Sequence, residues 1–248
     1  SAFVAATATK VAVYVLLRFY FGVFGEAQVF GRLPMEQMML VLALAGMFVA
    51  STIAIFQTDL KRLFAYSSVG QIGYIVLGLS FDSATGLTAS IVHLFNHGVT
   101  KGAIFMLLGI VVASVGGATL ARVHGLGRLM PWTSAGIVLA GLSLIGVPGT
   151  AGFVTKWYLV LAALEQGQWW LVFLIVASSL VSLMYVWRFV EVAYFREPRK
   201  DIAPAAVPRS MAVPTAVLLV AVVLFGLDTH YTVDPAIRAA EMLLGGGR

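Results

Sequence analysis

The sequence has 248 residues, 60% hydrophobic and only 11% charged, with a formal net charge of +5 and a mean hydropathy of +0.95. Soluble domains run about half apolar and about a quarter charged, so this composition excludes an ordinary soluble protein and points to a polytopic membrane protein. Cysteine is absent, which excludes a disulfide framework and a thiolate metal centre, and the basic residues fall mainly between apolar runs, a pattern of membrane topology rather than of nucleic-acid binding.

The chain opens SAFVAATATK, with no initiator methionine and no signal-peptide layout, and is expected to be part of a longer polypeptide. A helix needs about 20 mostly apolar residues to cross a bilayer. Seven stretches qualify: residues 2–24, 35–56, 63–81, 87–115, 131–164, 169–195 and 210–227. The fold class is therefore all-α, with seven membrane spans. The first span carries Lys10, about 14 Å deep if Ser1 lies at the membrane edge. There, snorkelling of the long side chain competes with a functional role. DLKR at residues 59–62 reads as a short turn and a topology anchor. Gly70, Gly73 and Gly78 in the third span read as small residues for close helix packing.

The fourth span contains HLFNHGVTKGAIF. His93, His97 and Lys101 recur every fourth residue, with Asn96 beside them. At about 100° per residue each step of four drifts about 40°, so all three share one helix face. Ionisable groups at membrane depth are costly and mark ion or proton paths. Histidine titrates near neutral pH unaided, and desolvation narrows the gap between charged and neutral lysine, so this row suits proton transfer. A metal or haem fits poorly. No third carboxylate or thiolate lies near the H-x-x-x-H pair, two histidines on one face cannot flank a haem, and H-E-x-x-H is absent. No metal or cofactor is expected.

The fifth span is 34 residues long, too many for one straight crossing, and contains LSLIGVPGTAGFVTKWYLV. Pro148 removes a backbone donor and clashes with the preceding turn, so the helix is predicted to break between about Ile145 and Gly152. Such breaks are tolerated at membrane depth only where the backbone is buried in protein or lines a wet cavity, and transporters place ion sites there. Lys156 follows the break directly. A proline kink used only for packing is the competing explanation. Ser178, Ser179 and Ser182 in the sixth span read as further packing residues, and Arg188 and Glu191 as an interfacial pair. The end, THYTVDPAIRAAEMLLGGGR, is amphipathic and suits a membrane surface.

Basic residues set the orientation. Lys61, Arg62, Arg122, Arg128, Arg196, Arg199, Lys200 and Arg209 fall on one side; Arg18, Arg32, Arg238 and Arg248 fall on the other. The positive-inside rule puts the richer side in the cytoplasm and the C-terminal tail outside.

Four blocks together carry a family resemblance: TKVAVYVLLRF, QTDLKRLFAYSSVGQIGYIVLGLS, HLFNHGVTKGAIF and GVPGTAGFVTKWYLV. The chain resembles the second half of an antiporter-like membrane subunit, from the superfamily shared by respiratory complex I, membrane-bound hydrogenases and Mrp-type sodium/proton antiporters. The last two blocks most resemble the D-type Mrp subunit. The family fold implies fourteen helices in two inverted five-helix repeats, each with a broken helix, so the seven spans would match its eighth to fourteenth. Residues 1–24 would close the first repeat, 35–195 would form the second, 210–227 would be the final helix and 228–248 a surface tail. VYVLLRF at 13–19 and MYVWRF at 184–189 are a faint echo of that repeat. By resemblance, Lys10 matches the lysine linking the two half-channels. His93, His97 and Lys101 match the polar row of the eleventh helix, and Lys156 the broken-helix lysine. The family's glutamate–lysine pair has no counterpart in this sequence, so this half alone is not expected to pump or exchange ions.

The resemblance implies a proton-conducting membrane subunit of a multisubunit cation/proton antiporter, with the proton-pumping subunit of a respiratory redox complex (an NADH:quinone oxidoreductase or a membrane hydrogenase) as the alternative. Implied partners are other membrane subunits, protons, possible Na⁺ and the bilayer of the cell's inner (plasma) membrane. No motif for flavin, iron–sulfur cluster or nucleotide is present, so driving chemistry would come from partner subunits. A structural scaffold, in which polar residues merely pair between helices, is the rival of a different class.

Overall fold

The computed structural model describes residues 2–24, 34–199 and 206–245. Arg32, Lys200 and Arg248, three of the basic residues used for orientation, lie outside the described residues. The chain is all-helical: α1 (Ala2–Phe24), α2 (Met35–Ile55), α3 (Leu60–Ser80), α4 (Ala84–Val115), α5 (Leu126–Leu129), α6 (Pro131–Ile145), α7 (Ala151–Glu165), α8 (Trp169–Phe195), α9 (Arg209–Leu227) and α10 (His230–Gly245). Among the described residues, six helices (α1, α2, α3, α4, α8 and α9) are long and apolar enough to cross a membrane. The remaining expected span is divided into α6 and α7, each of 15 residues.

Helix boundaries follow local chemistry. Asp59 caps α3 by accepting from the Arg62 N–H at 3.1 Å, and Ser83 caps α4 by accepting from the Gly86 N–H. Pro131 occupies the first turn of α6, where its missing N–H costs nothing. Wider π-helical turns interrupt α2 at Gly46–Ala50 and end both α1 and α8.

α4 is the hub. It packs against α1, α3, α6, α7, α9 and α10. In α3 and α4, 72% and 67% of the most apolar window is buried, against 11% in α1 and α9, so α3 and α4 are interior and α1 and α9 peripheral. Gly73 lies against the α2 backbone and Gly78 against Ser90 and Gly86 of α4, close approaches that small residues permit. The Asp59 and Arg122 turns are tied together, with Leu60 N–H donating to Ala118 O at 2.9 Å and Leu120 N–H to Thr58 O at 2.8 Å.

One expectation needs correction. Arg188 does not pair with Glu191. Its guanidinium donates to the carbonyls of Ile55 and Gln57 at the end of α2, while Glu191 pairs with Arg196 at 2.8 Å. The α2 C-terminus has unpaired carbonyls that a planar multi-donor cation satisfies better than a neighbouring carboxylate could hold it. The amphipathic tail, α10, buries Thr232, Val233, Ala236 and Ala240 against α4 and the end of α1, and leaves Tyr231 and Met242 exposed.

Candidate functional site

The site grows out of the break between α6 and α7. Gly146 ends α6 in the left-handed region at φ 88°, with its N–H on Leu142 O at 2.9 Å, a glycine helix stop. The last carbonyls of a helix have no intrahelical donors. Here side chains supply them. Lys156 Nζ donates to Ile145 O at 2.5 Å and to Leu144 O at 3.2 Å, and Gln71 of α3 donates to Leu144 O at 3.1 Å. The third Lys156 partner is the Ser179 hydroxyl of α8 at 2.8 Å, and the amine lies 4.6 Å from the Tyr74 ring centroid. An ammonium has three N–H donors, so this cradle satisfies every one of them. The negative end of the α6 dipole adds to it.

Two glycines make the cradle possible. A methyl group on Gly146 would sit 2.6 Å from Lys156 Cδ, and one on Gly152 would overlap the Ser143 carbonyl. The first turn of α7 is held by Ser143, whose hydroxyl accepts the Gly152 N–H at 3.1 Å. Asn96 donates to Ala151 O at 2.9 Å, and Thr100 shares a 3.2 Å hydrogen bond with Ser143. The polar row on α4 is thereby stitched to the break.

The row faces the interior: His93, Asn96, His97 and Lys101 are all at most 2% exposed. The His93 and His97 rings stack, with centroids 5.5 Å apart and planes within 6°. Tyr74 meets His93 at 5.8 Å, so Tyr74 touches both the histidine pair and Lys156. Among the described residues both nitrogens of His97 are buried without a hydrogen-bond partner, as are Asn96 Oδ1 and Thr155 Oγ1, while His93 meets the Gln71 backbone. His97 lies in the field of Lys10 and Lys101, and His93 in that of Lys156, Lys10 and Lys101. Lys101 is fully buried. It donates to Phe64 O at 2.8 Å and Ser67 Oγ at 2.5 Å, with the Phe64 ring at 5.5 Å. Among the described residues no carboxylate pairs with either lysine.

Lys10 is buried at the inner wall of α1 and donates to Ala5 O at 2.6 Å, beside Gly98 of α4. It closes a groove of about 720 Å³ between α1 and α4, otherwise lined by apolar side chains such as Phe3, Tyr14, Phe95 and Leu218. The structure thus gathers Lys10, His93, His97, Lys101 and Lys156 around α4, but Lys101 and Lys156 occupy separate cradles. Sequence reasoning missed Ser67, Gln71, Tyr74 and Ser143. It also took Ser178 and Ser179 for packing residues, whereas Ser178 hydrogen-bonds the Tyr74 hydroxyl at 2.7 Å and Ser179 receives Lys156. The readable signal was a polar stripe at helical spacing, Ser67, Gln71 and Tyr74, inside an apolar span.

Comparison with known proteins gives a consistent picture. The family described as NADH:quinone oxidoreductase/Mrp antiporter, TM, matches residues 1–182. NADH-quinone oxidoreductase subunit N of Desulforudis audaxviator is 38% identical over 96% of this chain and 50% of its own length. The chain spans about half the length of the curated relatives it matches. Among solved structures, a chain of the Mrp complex from Dietzia sp. superposes with a TM-score of 0.87 at 24% identity, covering 96% of this chain and 52% of its own. A chain of respiratory complex I from Thermus thermophilus gives 0.80 at 25%, covering 97% and 51%.

Proposed function

The chain belongs to the NADH:quinone oxidoreductase/Mrp antiporter membrane family, and from that premise we propose that it forms the second half of an antiporter-like subunit that relays protons through Lys10, His93, His97, Lys101 and Lys156. The observation that carries this reading is the Lys156 cradle: an amine buried at a helix break, offered three acceptors and, among the described residues, no counter-carboxylate. A packing role would not require an ionisable group there. The buried His97 nitrogens, without a partner among the described residues, support it too, because a buried polar atom left unpaired costs about 1–3 kcal/mol, and an apolar core would avoid that cost.

The proposed roles follow from the chemistry. Lys156 holds a proton while its three N–H groups engage the Ile145 and Leu144 carbonyls and Ser179. It gives the proton up when those contacts loosen. The stacked imidazoles, each able to donate and accept, lie between the amines and pass protons along α4, with water bridging spans that side chains do not reach. Against 100 mV, moving one charge costs about 2.3 kcal/mol, so the subunit works in a hetero-oligomeric complex whose other subunits supply the drive. The reading places the chain in the cell's inner (plasma) membrane. Its Lys61, Arg122 and Arg128 loops are cytoplasmic and α10 lies outside, at the opposite end of the bundle. Residues 35–195 act as one inverted repeat, with residues 1–24 completing the preceding one.

Two sources of drive are open to this subunit. The quinone-oxidoreductase names of relatives favour a redox complex. The D-type resemblance of the GVPGTAGFVTKWYLV block favours a cation/proton antiporter. Genes for other Mrp subunits beside this one would select the second, and genes for quinone-reductase or hydrogenase subunits the first. The proton role itself is tested by Lys156→Ala in the whole complex, reconstituted in vesicles, with assembly measured separately. Proton transport is expected to be lost with assembly intact; transport at the parent rate would favour the scaffold reading.

A further inference from the structure

The two lysine cradles are joined by a feature that the relay along α4 does not use. On α3, Ser67, Gln71 and Tyr74 form one stripe; on α8, Ser178, Ser182 and Tyr185 form another with the same spacing. All six are at most 2% exposed. The two helices run antiparallel and are pinned by the Tyr74–Ser178 hydrogen bond at 2.7 Å. Seven residues back from Tyr74 is Ser67, and seven residues on from Ser178 is Tyr185, so the register sets Tyr185 opposite Ser67. Ser182, Gln71 and Ser67 do meet the buried Tyr185 hydroxyl, although among the described residues none of them forms a hydrogen bond of ordinary geometry with it. The result is a Tyr–Ser rung at each end, with Gln71 and Ser182 between them. Seven helical residues rise about 10 Å, which is the distance the ladder covers. Lys156 sits over the Tyr74 rung, and Lys101 is hydrogen-bonded to Ser67 on the other.

We propose that this hydroxyl ladder is a second proton link between Lys101 and Lys156, with Tyr185 as its key relay residue. The inference rests on the proton-relay reading above. A hydroxyl donates one hydrogen bond while accepting another. Ser67 can therefore take a proton from the Lys101 ammonium as its own, which rests on the Phe64 carbonyl, turns to the Tyr185 oxygen. Tyr185 hands its proton on to Ser182, and the relay runs through Ser178 and Tyr74 to the neutral Lys156 amine, each hydroxyl losing one proton and gaining another. A phenylalanine would fill the Tyr185 site equally well and would spare the core the cost of a buried hydroxyl. The hydroxyl is thus the feature that needs a reason.

The test is Tyr185→Phe, Ser67→Ala and the double variant in the whole complex in vesicles, with proton flux normalised to assembled complex and Lys156→Ala alongside. Each single variant is expected to lower flux by about tenfold, less than loss of a sole proton-transfer group because the histidine route persists. If both act on one link, the double variant is no slower than the slower single. Parent flux in Tyr185→Phe, or losses that multiply in the double variant, would overturn the ladder. If Tyr185→Phe does not assemble, Ser67→Ala reads the same rung from α3, with tenfold loss expected and parent flux overturning the proposal. Parent flux in Lys156→Ala would instead sink the proton-relay reading as a whole.

Discussion

Among the described residues Lys156 and Lys101 are both buried lysines without a carboxylate partner, but they are held in different ways. Lys156 uses the carbonyls of Leu144 and Ile145, which the end of α6 leaves free. Lys101 reaches an unbroken helix. It shares the Phe64 carbonyl with the hydroxyls of Ser67 and Ser68 and draws its other contact from Ser67 itself. A broken helix supplies acceptors that would otherwise be orphaned, together with a dipole end. An intact helix offers only carbonyls that are already engaged, so Lys101 shares one of them, Phe64 O, and adds the Ser67 hydroxyl. The cradle of Lys156 is therefore written in backbone conformation, and that of Lys101 in one hydroxyl.

That contrast can be broken from either side. The largest effect is expected at Lys156. Removing its amine leaves the proton no carrier at the break, and flux in the assembled complex should fall by about 100-fold or more. Next comes Gly146→Ala, which attacks the backbone half of the comparison. It forces a non-glycine residue to φ 88°, at about 1–2 kcal/mol, and pushes a methyl into Lys156 Cδ. Flux should drop and the melting temperature of the purified complex should fall together; a silent Gly146→Ala would mean the backbone conformation does not define the cradle. Ser67→Ala attacks the side-chain half. It removes one of two Lys101 acceptors, about 1 kcal/mol net, so flux should fall with little change in melting. Ser143→Ala is the smallest. It deletes the hydroxyl that receives the Gly152 N–H and should cost about 1 kcal/mol of stability, read as a small melting shift.

The same contrast explains what was legible in the sequence. The break was, because Gly146, Pro148 and Gly149 act through their own backbone chemistry, and α6 stops at Ile145 as expected. The inward face of α4 was, because His93, His97 and Lys101 are spaced on one helix. What depended on which helices meet was not. Ser67 and Ser179 each lie on another helix from the lysine they receive, and nothing in local spacing tells a packing serine from an acceptor. Arg188 was misassigned for the same reason: its nearest oppositely charged residue in sequence is Glu191, but its partners in space are the carbonyls of Ile55 and Gln57.

The central claim is that Lys156 serves as a proton carrier and not as a fixed cap on the end of α6. Lys156→Arg separates the two directly. Arginine keeps a cation with ample donors at the α6 carbonyls but does not release its proton at accessible pH. Proton flux per assembled complex in vesicles is the measurement. Lys156→Arg is expected to assemble and to be inactive; flux at the parent rate would mean that Lys156 is only a fixed cap.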